Sequence, residues 1–530
     1  MKKNLLTILF TFYFLNVASQ NVFQRKYYIP DSIYYSAVKT KERFDGKFVN
    51  MTIYGNLTFP SSQIHLTEMN QTGHVQWYKR YNDATPSSFY YDLDMLPAGE
   101  LAVVGQTAGS AATLVLFDSA ANMTGAIAVL SNGTSNFESI FHSNTNEYVM
   151  CGGMRQPDNA IVYVTDPSGN LIRENQYQIN GKPTHFQEGL LLKNNNQLFA
   201  GQTYPETGNY WRSQLALLVT DNSGNPVWGL QTGDTAYSIA PLAAFELFDL
   251  SIIVVSIYTT TVGGLTSFPV ITKLSFDGHT QWSRKITSPD FLSITAAALV
   301  GQDRIVLTGF NLPTGLPESA VIAVCDTSGS VLFTKGVYET IFGLDGTDIT
   351  ACADSGVIIT ASTPVGNGFN YRYLIKTDSA FNVHCNENTI QLTDSPISGY
   401  DSIGFSQPTS AIMTNIIPLS NFQFVQENPI EMDACDPSEI TETRPYLPEL
   451  NAHIIHDHLI LDLKNIESSL FDCVFYDISG KMVDGFSFTN TESSCRKVFP
   501  VNHLASGMYI AVLKSDHAYF STKIVAHQDY

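Results

Sequence analysis

Positive charge is scarce in this chain of 530 residues, which has 29 lysines and arginines against 49 aspartates and glutamates. The basic residues do not gather into a stripe. A protein this acidic repels phosphate backbones and anionic membrane surfaces. We therefore expect no nucleic-acid partner.

Helix-forming runs of Ala, Glu, Lys and Leu are also missing, whereas Thr, Ser, Asn, Gly and Val are abundant beside 26 Tyr and 32 Phe. This composition favours strands and turns, so we predict an all-β fold. A chain this long exceeds one ordinary core, and two or more domains are expected.

Motifs for nucleophilic, zinc or nucleotide chemistry (GxSxG, HExxH, Walker A, GxGxxG before a helix) are absent. His456-Asp457-His458 is the only tight His/Asp cluster, and it fits an exposed turn better than a metal site. We predict no catalytic, cofactor-binding or metal-binding residue, and the cofactor, if any, stays unknown.

Two local features leave alternatives open. Asp92 and Asp94 alternate on one predicted strand and so share a face. Paired carboxylates can bind Ca²⁺ or act as acid and base, although this pair has no evident partners. The aromatic run Phe89-Tyr90-Tyr91 before them suits a buried core or a carbohydrate-binding rim.

The seven cysteines are widely spaced and form no CxxC or zinc pattern. Export would permit disulfides. Cys385 could bridge to Cys435, and Cys473 to Cys495, or all could be isolated buried thiols.

The N-terminus has the layout of a secretory signal peptide, with Lys2-Lys3, an apolar run over 5–17 and small residues before Gln20. We predict that residues 1–19 are removed, which leaves 27 basic and 49 acidic residues and a formal charge of −22. The alternative is an uncleaved anchor, but the run is short for a membrane span. No other transmembrane segment is expected.

The body is a repeat of predicted hairpins about fifty residues apart, and this period is typical of β-propellers. Each hairpin joins an apolar strand to a second strand through an Asp/Asn-Gly type of turn. The turn motif comprises Gly73, Asp166, Gly169, Asp221, Gly224, Gly278, Asp326 and Gly329, with Ala121 and Phe381 at the equivalent positions of the second and seventh units.

Each unit has room for four strands, so residues 20–393 are predicted to form a propeller of about seven blades. Trp77, Trp228 and Trp282 stand four residues after a turn glycine, where Phe333 stands in the sixth unit. This fixed register favours packing between blades over a sugar-stacking platform.

Residues 394–450 are predicted to hold further strands and a linker rich in Pro and acidic residues, and residues 451–530 a small β-sandwich. The body's units resemble the degenerate propeller repeats of large secreted Bacteroidetes proteins. The terminal region resembles the type A C-terminal sorting domain of the type IX secretion system. The residues that carry this second resemblance are Tyr476, Asp477, Gly480, Lys481, Leu504, Gly507, Tyr509 and Lys523.

The resemblance implies the type IX secretion machinery as partner, and a secreted or outer-surface location reached through the periplasm. We hypothesise a non-enzymatic binding or adhesion module with glycan or protein ligands. The alternative is a secreted glycan hydrolase or lyase. Three or more ionisable groups with perturbed pKa values converging in the central channel would favour the enzyme.

Overall fold

The computed structural model describes residues 21–526 with internal gaps. The gaps are 29–34, 55–62, 84–87, 108–110, 131–133, 156–157, 206–211, 234–236, 261–266, 314–317, 340–342, 364–370, 398–400, 404–405, 410–414, 419–421, 426–428, 436–448, 456–457, 465–468, 478–481, 491–493, 501–506 and 515–518. The predicted signal peptide lies outside the described residues. Within them the chain forms 42 strands and no helix, so no helix there is long and apolar enough to cross a membrane.

The first 28 strands build the body. The first thirteen are β1 (Phe23–Tyr28), β2 (Tyr35–Glu42), β3 (Phe48–Tyr54), β4 (Gln63–Met69), β5 (Val75–Asp83), β6 (Phe89–Met95), β7 (Leu101–Gln106), β8 (Ala112–Phe117), β9 (Met123–Leu130), β10 (Thr134–His142), β11 (Tyr148–Arg155), β12 (Asn159–Thr165) and β13 (Leu171–Ile179). The next fifteen are β14 (Thr184–Leu191), β15 (Gln197–Thr203), β16 (Gln214–Thr220), β17 (Pro226–Thr232), β18 (Tyr237–Glu246), β19 (Ile252–Thr260), β20 (Ser267–Leu274), β21 (Thr280–Thr287), β22 (Phe291–Val300), β23 (Arg304–Leu312), β24 (Ser319–Asp326), β25 (Val331–Tyr338), β26 (Asp345–Ala351), β27 (Val357–Ser362) and β28 (Arg372–Lys376).

These strands form seven antiparallel blades, and each of the first six uses four consecutive strands from β2 to β25. The first strand of each blade is its inner strand. Inner strands of neighbouring blades contact one another around a closed ring, including β2 with β26. The predicted seven-bladed β-propeller is confirmed.

The seventh blade is completed by the N-terminal strand. It joins β26, β27 and β28 to β1, where Tyr27 is the register partner of Arg372. The expectation that the fourth strand would follow the turn at Phe381 is wrong, because residues 381–386 form no strand and β1 occupies that edge.

All seven predicted turn positions adopt the left-handed backbone conformation, with φ between 55° and 90°. Asp166 stabilises its turn, because its Oδ1 accepts hydrogen bonds from the amides of Ser168 and Asn170, both at 2.9 Å. Asp221 and Asp326 accept the equivalent pairs. Glycine makes positive φ inexpensive, but Ala121 and Phe381 adopt it as well.

A β-bulge in each inner strand explains the small residue near the end of the second strand. The inner-strand backbone approaches so closely that a Cβ on Gly105 would lie 2.0 Å from the Phe89 carbonyl oxygen. A Cβ on Gly201 would lie 1.9 Å from that of His185. Glycine therefore permits the closest approach of the two strands.

Aromatic side chains of the fourth strands pack against the next blade. The indole of Trp228 donates to the Phe276 carbonyl oxygen at 3.0 Å and is 9% exposed. The ring of Trp282 lies against Gly329. These two tryptophans therefore serve packing between blades, as the register predicted.

A belt of seven short strands, residues 385–435, follows the last blade strand. Its strands are β29 (Glu387–Asn388), β30 (Thr393–Ile397), β31 (Asp401–Ile403), β32 (Ser406–Thr409), β33 (Asn415–Pro418), β34 (Phe422–Val425) and β35 (Ile430–Asp433). Each pairs with the outermost strand of a different blade, in the order six, five, four, three, two, one, seven. The sequence predicts one or two strands in 410–425, and β33 and β34 lie there.

A disulfide joins Cys385 to Cys435, with 5.6 Å between the Cα atoms. Cys473 is a free, buried thiol, so the alternative bridge to Cys495 is not formed. Cys151, Cys325 and Cys352 are also free and buried.

The chain divides into two compact units, Met1–Cys435 and Asp436–Tyr530. The described strands of the second unit form a three-stranded and a four-stranded sheet. They are β36 (Glu449–Ile455), β37 (His458–Lys464), β38 (Ser469–Asp477), β39 (Met482–Asn490), β40 (Ser494–Pro500), β41 (Gly507–Lys514) and β42 (Tyr519–Ala526). The domain boundaries drawn from the sequence stay predictions.

Candidate functional site

The seven inner strands surround the central channel, and each has its bulge at the same point. The residue after the bulge therefore has an equivalent position in every blade. From blade one to blade seven these residues are Lys39, Asp92, Ser139, Glu188, Ala243, Ala296 and Asp348. Four of them are ionisable, and they come from four different blades.

Asp92 and Asp348 each bind the inner strand of the next blade. Oδ2 of Asp92 accepts hydrogen bonds from the Ile140 amide at 2.9 Å and the Ser139 hydroxyl at 3.2 Å. Oδ2 of Asp348 accepts the Thr40 amide at 3.0 Å. The channel-side edge of an inner strand has no neighbouring strand, so these carboxylates satisfy backbone donors that the sheet leaves open.

Lys39 joins the two aspartates. Its Nζ lies 3.5 Å from Oδ1 of Asp348 and 3.8 Å from Oδ1 of Asp92. The charge of Asp348 makes the largest contribution to raising the pKa of Lys39, and burial opposes it less strongly. The ammonium group therefore stays charged and links blades seven, one and two.

Glu188 differs from the other three. It is half-buried, and its carboxyl group makes no hydrogen bond within the part of the chain that the structure describes. Burial, assisted by the negative charges of Asp92 and Asp348, raises the pKa of Glu188 to about 7 against the opposing effect of Lys39. Near neutral pH its carboxyl group can thus either donate or accept a hydrogen bond.

A second charged level lies two residues further along the inner strands. Nζ of Lys41 is 3.4 Å from Asp94, whose Oδ2 is 2.9 Å from Nδ1 of His142. Burial would raise the pKa of Asp94, but Lys41 and His142 together lower it. The hydrogen bond to Asp94 raises the pKa of His142.

A third polar group occupies the bulge of blade three. Glu138 accepts the Asn136 side-chain amide at 2.8 Å and lies 3.1 Å from Nε2 of His185. Burial acts to raise the pKa of Glu138, yet His185 and the hydrogen bonds lower it. Glu138 is therefore held ionised.

Blades five and six carry alanine at the equivalent position, Ala243 and Ala296, and Leu242 occupies the bulge of blade five. Ala243 is buried, and Leu242 and Ala296 pack against the hydrophobic core. The ionisable post-bulge residues thus come from blades one, two, four and seven, and the apolar ones from blades five and six.

The structure describes most of the residues that the sequence indicates as candidate sites. Asp92 and Asp94 are both buried on one strand, but each is already engaged by its own set of partners. Among the described residues no group of three or more His, Cys, Asp or Glu side chains could hold a metal ion. Tyr90 is fully buried, whereas Phe89 is 49% exposed; residues 456–457 of the His/Asp cluster lie outside the described residues.

Sequence reasoning missed Lys39, Glu188 and Asp348. Each lies in the first strand of its repeat, immediately after the bulge. An alignment of the seven inner strands on the bulge would have placed them beside Asp92. A bulge has no characteristic residue types, so this alignment can be made only once the register of the paired strands is known.

The sorting-motif residues lie in the second compact unit. Asp477 is the register partner of Tyr509 across β38 and β41, and Lys523 is that of Ile510 across β41 and β42. Tyr476 is the last residue but one of β38, and Gly507 begins β41. Gly480, Lys481 and Leu504 lie outside the described residues.

Residues 455–527 match the secretion system C-terminal sorting domain. The sorting domain implies that the type IX secretion system handles this chain, and that the protein is secreted or attached to the outer surface. It also implies a Bacteroidetes source.

No curated protein matches the chain. Among solved structures, a hypothetical protein from Leishmania major is 6% identical, with a TM-score of 0.28, over 68% of this chain and 88% of that one. A tetra-tandem repeat in the extending region of a large adhesion protein is 12% identical, with a TM-score of 0.12, over 88% and 94%. Neither similarity supports a functional argument.

Proposed function

We propose that this protein is an exported propeller that acts at the cell surface or in the medium as a non-enzymatic binding module. Its ligand is a glycan or a protein segment that enters the central channel. The observation that carries the proposal is that two of the three post-bulge carboxylates, Asp92 and Asp348, already bind other groups of the protein. Asp92 and Asp348 bind Lys39 and backbone amides of neighbouring blades.

General acid–base chemistry needs a carboxyl group free to reach the proton it transfers. A two-carboxylate hydrolase needs two such groups on opposite sides of one bond. Glu188 is the one post-bulge carboxyl group of the described channel with no hydrogen bond. A single carboxyl group without a hydrogen-bond partner is better suited to recognition, because it can bind a hydroxyl or amide group of a ligand.

A secreted glycan hydrolase or lyase is the second candidate. It is favoured by the convergence of four ionisable side chains from four blades, and by a Glu188 pKa of about 7, which suits a general acid. For an enzyme, the expectation from the sequence is that three or more ionisable groups with perturbed pKa values converge in the channel. This condition is met in part. The partners that already engage Asp92 and Asp348 weigh against the enzyme.

The test exposes the mature secreted chain to a glycan array and, in parallel, to a panel of hydrolase and lyase substrates. Glu188→Ala is the site variant, and Asp303→Asn on an exposed turn is the control for loss of one negative charge. We expect binding to one ligand class without turnover, weakened about tenfold or more by Glu188→Ala and unchanged by Asp303→Asn. Turnover abolished by Glu188→Gln would establish the enzyme instead.

A further inference from the structure

The belt runs around the whole rim of the propeller. From the start of β29 at residue 387 to the start of β35 at residue 430, it advances six blades in 43 residues. That is about seven residues, or roughly 23 Å of extended chain, for each blade. The belt has only enough length to follow the rim closely, and it pairs with every blade on the way.

The disulfide joins the two ends of the belt. Cys385 lies two residues before β29, and Cys435 lies two residues after β35. With this bond, residues 385–435 form a closed covalent ring around the seven blades. The belt strands also cover the fourth-strand edges, which would otherwise be open to pairing with another chain.

The ends of the ring meet on the N-terminal strand. β1 lies between β28 and β35. The Gln24 side chain accepts the Cys385 amide at 2.7 Å, and the backbone carbonyl oxygen of Gln24 accepts the Ala434 amide at 3.1 Å. Arg25 pairs with Asp433 at 3.5 Å. The bond thus fixes the one place where the propeller is closed by strands from opposite ends of the unit.

Belt carboxylates also bind across blade boundaries. Asp394 on blade five pairs with Arg284 and accepts the Val331 amide of blade six at 3.2 Å. Glu431 on blade seven accepts the Val75 amide of blade one at 3.1 Å. The belt therefore joins neighbouring blades at their outer edge, as Asp92 and Asp348 join them at the channel.

We infer that the Cys385–Cys435 disulfide is a redox-operated clasp, which closes the belt around the propeller and holds the N-terminal strand in the seventh blade. Reduction opens the ring and loosens the belt on all seven blades, not at the seventh alone.

Closure is a thiol–disulfide exchange with a disulfide-bearing oxidoreductase or small disulfide of the oxidising compartment. One cysteine thiolate attacks the donor disulfide and forms a mixed disulfide, and one donor sulfur leaves as thiolate. The second cysteine thiolate then displaces the other donor sulfur. The protein loses two electrons and two protons, and the donor leaves as the dithiol, or as two thiols.

The experiment compares the mature chain, oxidised or reduced with dithiothreitol, with the double variant Cys385→Ser, Cys435→Ser. Hydrogen exchange is measured strand by strand, and melting is followed with and without dithiothreitol. We expect reduction to lower the melting temperature by about 5 °C and to speed exchange in belt strands and outermost blade strands of all seven blades. The double variant should have the melting temperature and the exchange rates of the reduced chain, and dithiothreitol should change neither.

Faster exchange confined to β1, β28 and β35 would overturn the clasp around the rim and leave an ordinary local cross-link. An unchanged melting temperature after complete reduction would overturn it as well. If the double variant does not fold, reduction of the folded chain still gives both readouts. Buried Cys151, Cys325 and Cys352 are internal controls, because their thiols should stay unmodified by an alkylating reagent while reduced Cys385 and Cys435 react.

Discussion

Single residues decide how the channel is charged. Lys39, Asp92 and Asp348 neutralise one another in part, and the two aspartates also accept backbone amides, so all three belong to the architecture as much as to a site. Glu188 occupies the same position in blade four, yet its carboxyl group has no such partner within the described chain. The equivalent position of blade four therefore carries a carboxyl group that the fold does not use to join neighbouring blades.

The raised pKa of Glu188 makes stability depend on pH. The folded chain favours the neutral carboxyl group, whose pKa is about 7 against 4.5 for an ordinary glutamate. The contribution is fully present below about pH 4.5 and is lost as the pH rises through 7. We expect Glu188→Gln to remove this loss. Between pH 4.5 and 8 the unfolding free energy of the wild type should therefore fall by about 1–3 kcal/mol relative to that of the variant.

Urea unfolding at a series of pH values measures this difference. Asp303→Asn, on an exposed turn, removes one charge without touching the channel. Its pH profile should follow the wild type. A Glu188→Gln profile parallel to the wild type would show that the carboxyl group is not held neutral by its surroundings.

Among the elements, hairpins could be predicted and the belt could not. A blade hairpin pairs residues a few positions apart, and its Asp-led turn and apolar flanks lie in one short window. β1 pairs with β28 across almost the whole unit, and the belt strands have two to five residues each. Strands so short show no periodicity, and their partners are set by closure of the ring rather than by local sequence.

The sequence predicts the channel site only in part for a related reason. It indicates Asp92 and Asp94 because they alternate within one strand. Lys39, Glu188 and Asp348 come together from three other strands, and only the common bulge puts them at one level.

The contact between inner and second strands gives a prediction at the scale of one element. Gly201→Ala places a methyl group 1.9 Å from the His185 carbonyl oxygen, so the two strands must separate. We expect a loss of about 1–3 kcal/mol in unfolding free energy. Gly125→Ala is the matched control, because its Cβ would meet nothing within 4 Å and its φ is not positive. Equal stability of both variants in urea would refute the tight contact.

For the whole molecule, closure by β1 means that a ring of seven blades depends on its first six-residue strand. We expect a chain beginning at residue 29 to melt roughly 10 °C below one beginning at residue 21, because it loses the buried side chains of Phe23 and Tyr27 and the backbone pairing of β28 and β35. Differential scanning calorimetry of the two chains measures the shift.

A synthetic peptide of residues 21–28, added to the shortened chain, should restore most of that loss by occupying the vacant edge between β28 and β35. The same peptide with Phe23→Ser and Tyr27→Ser keeps the backbone donors and acceptors but not the buried rings, and should restore much less. If the shortened chain melts like the longer one, the seventh blade is stable without its N-terminal strand and the propeller is closed by the belt alone.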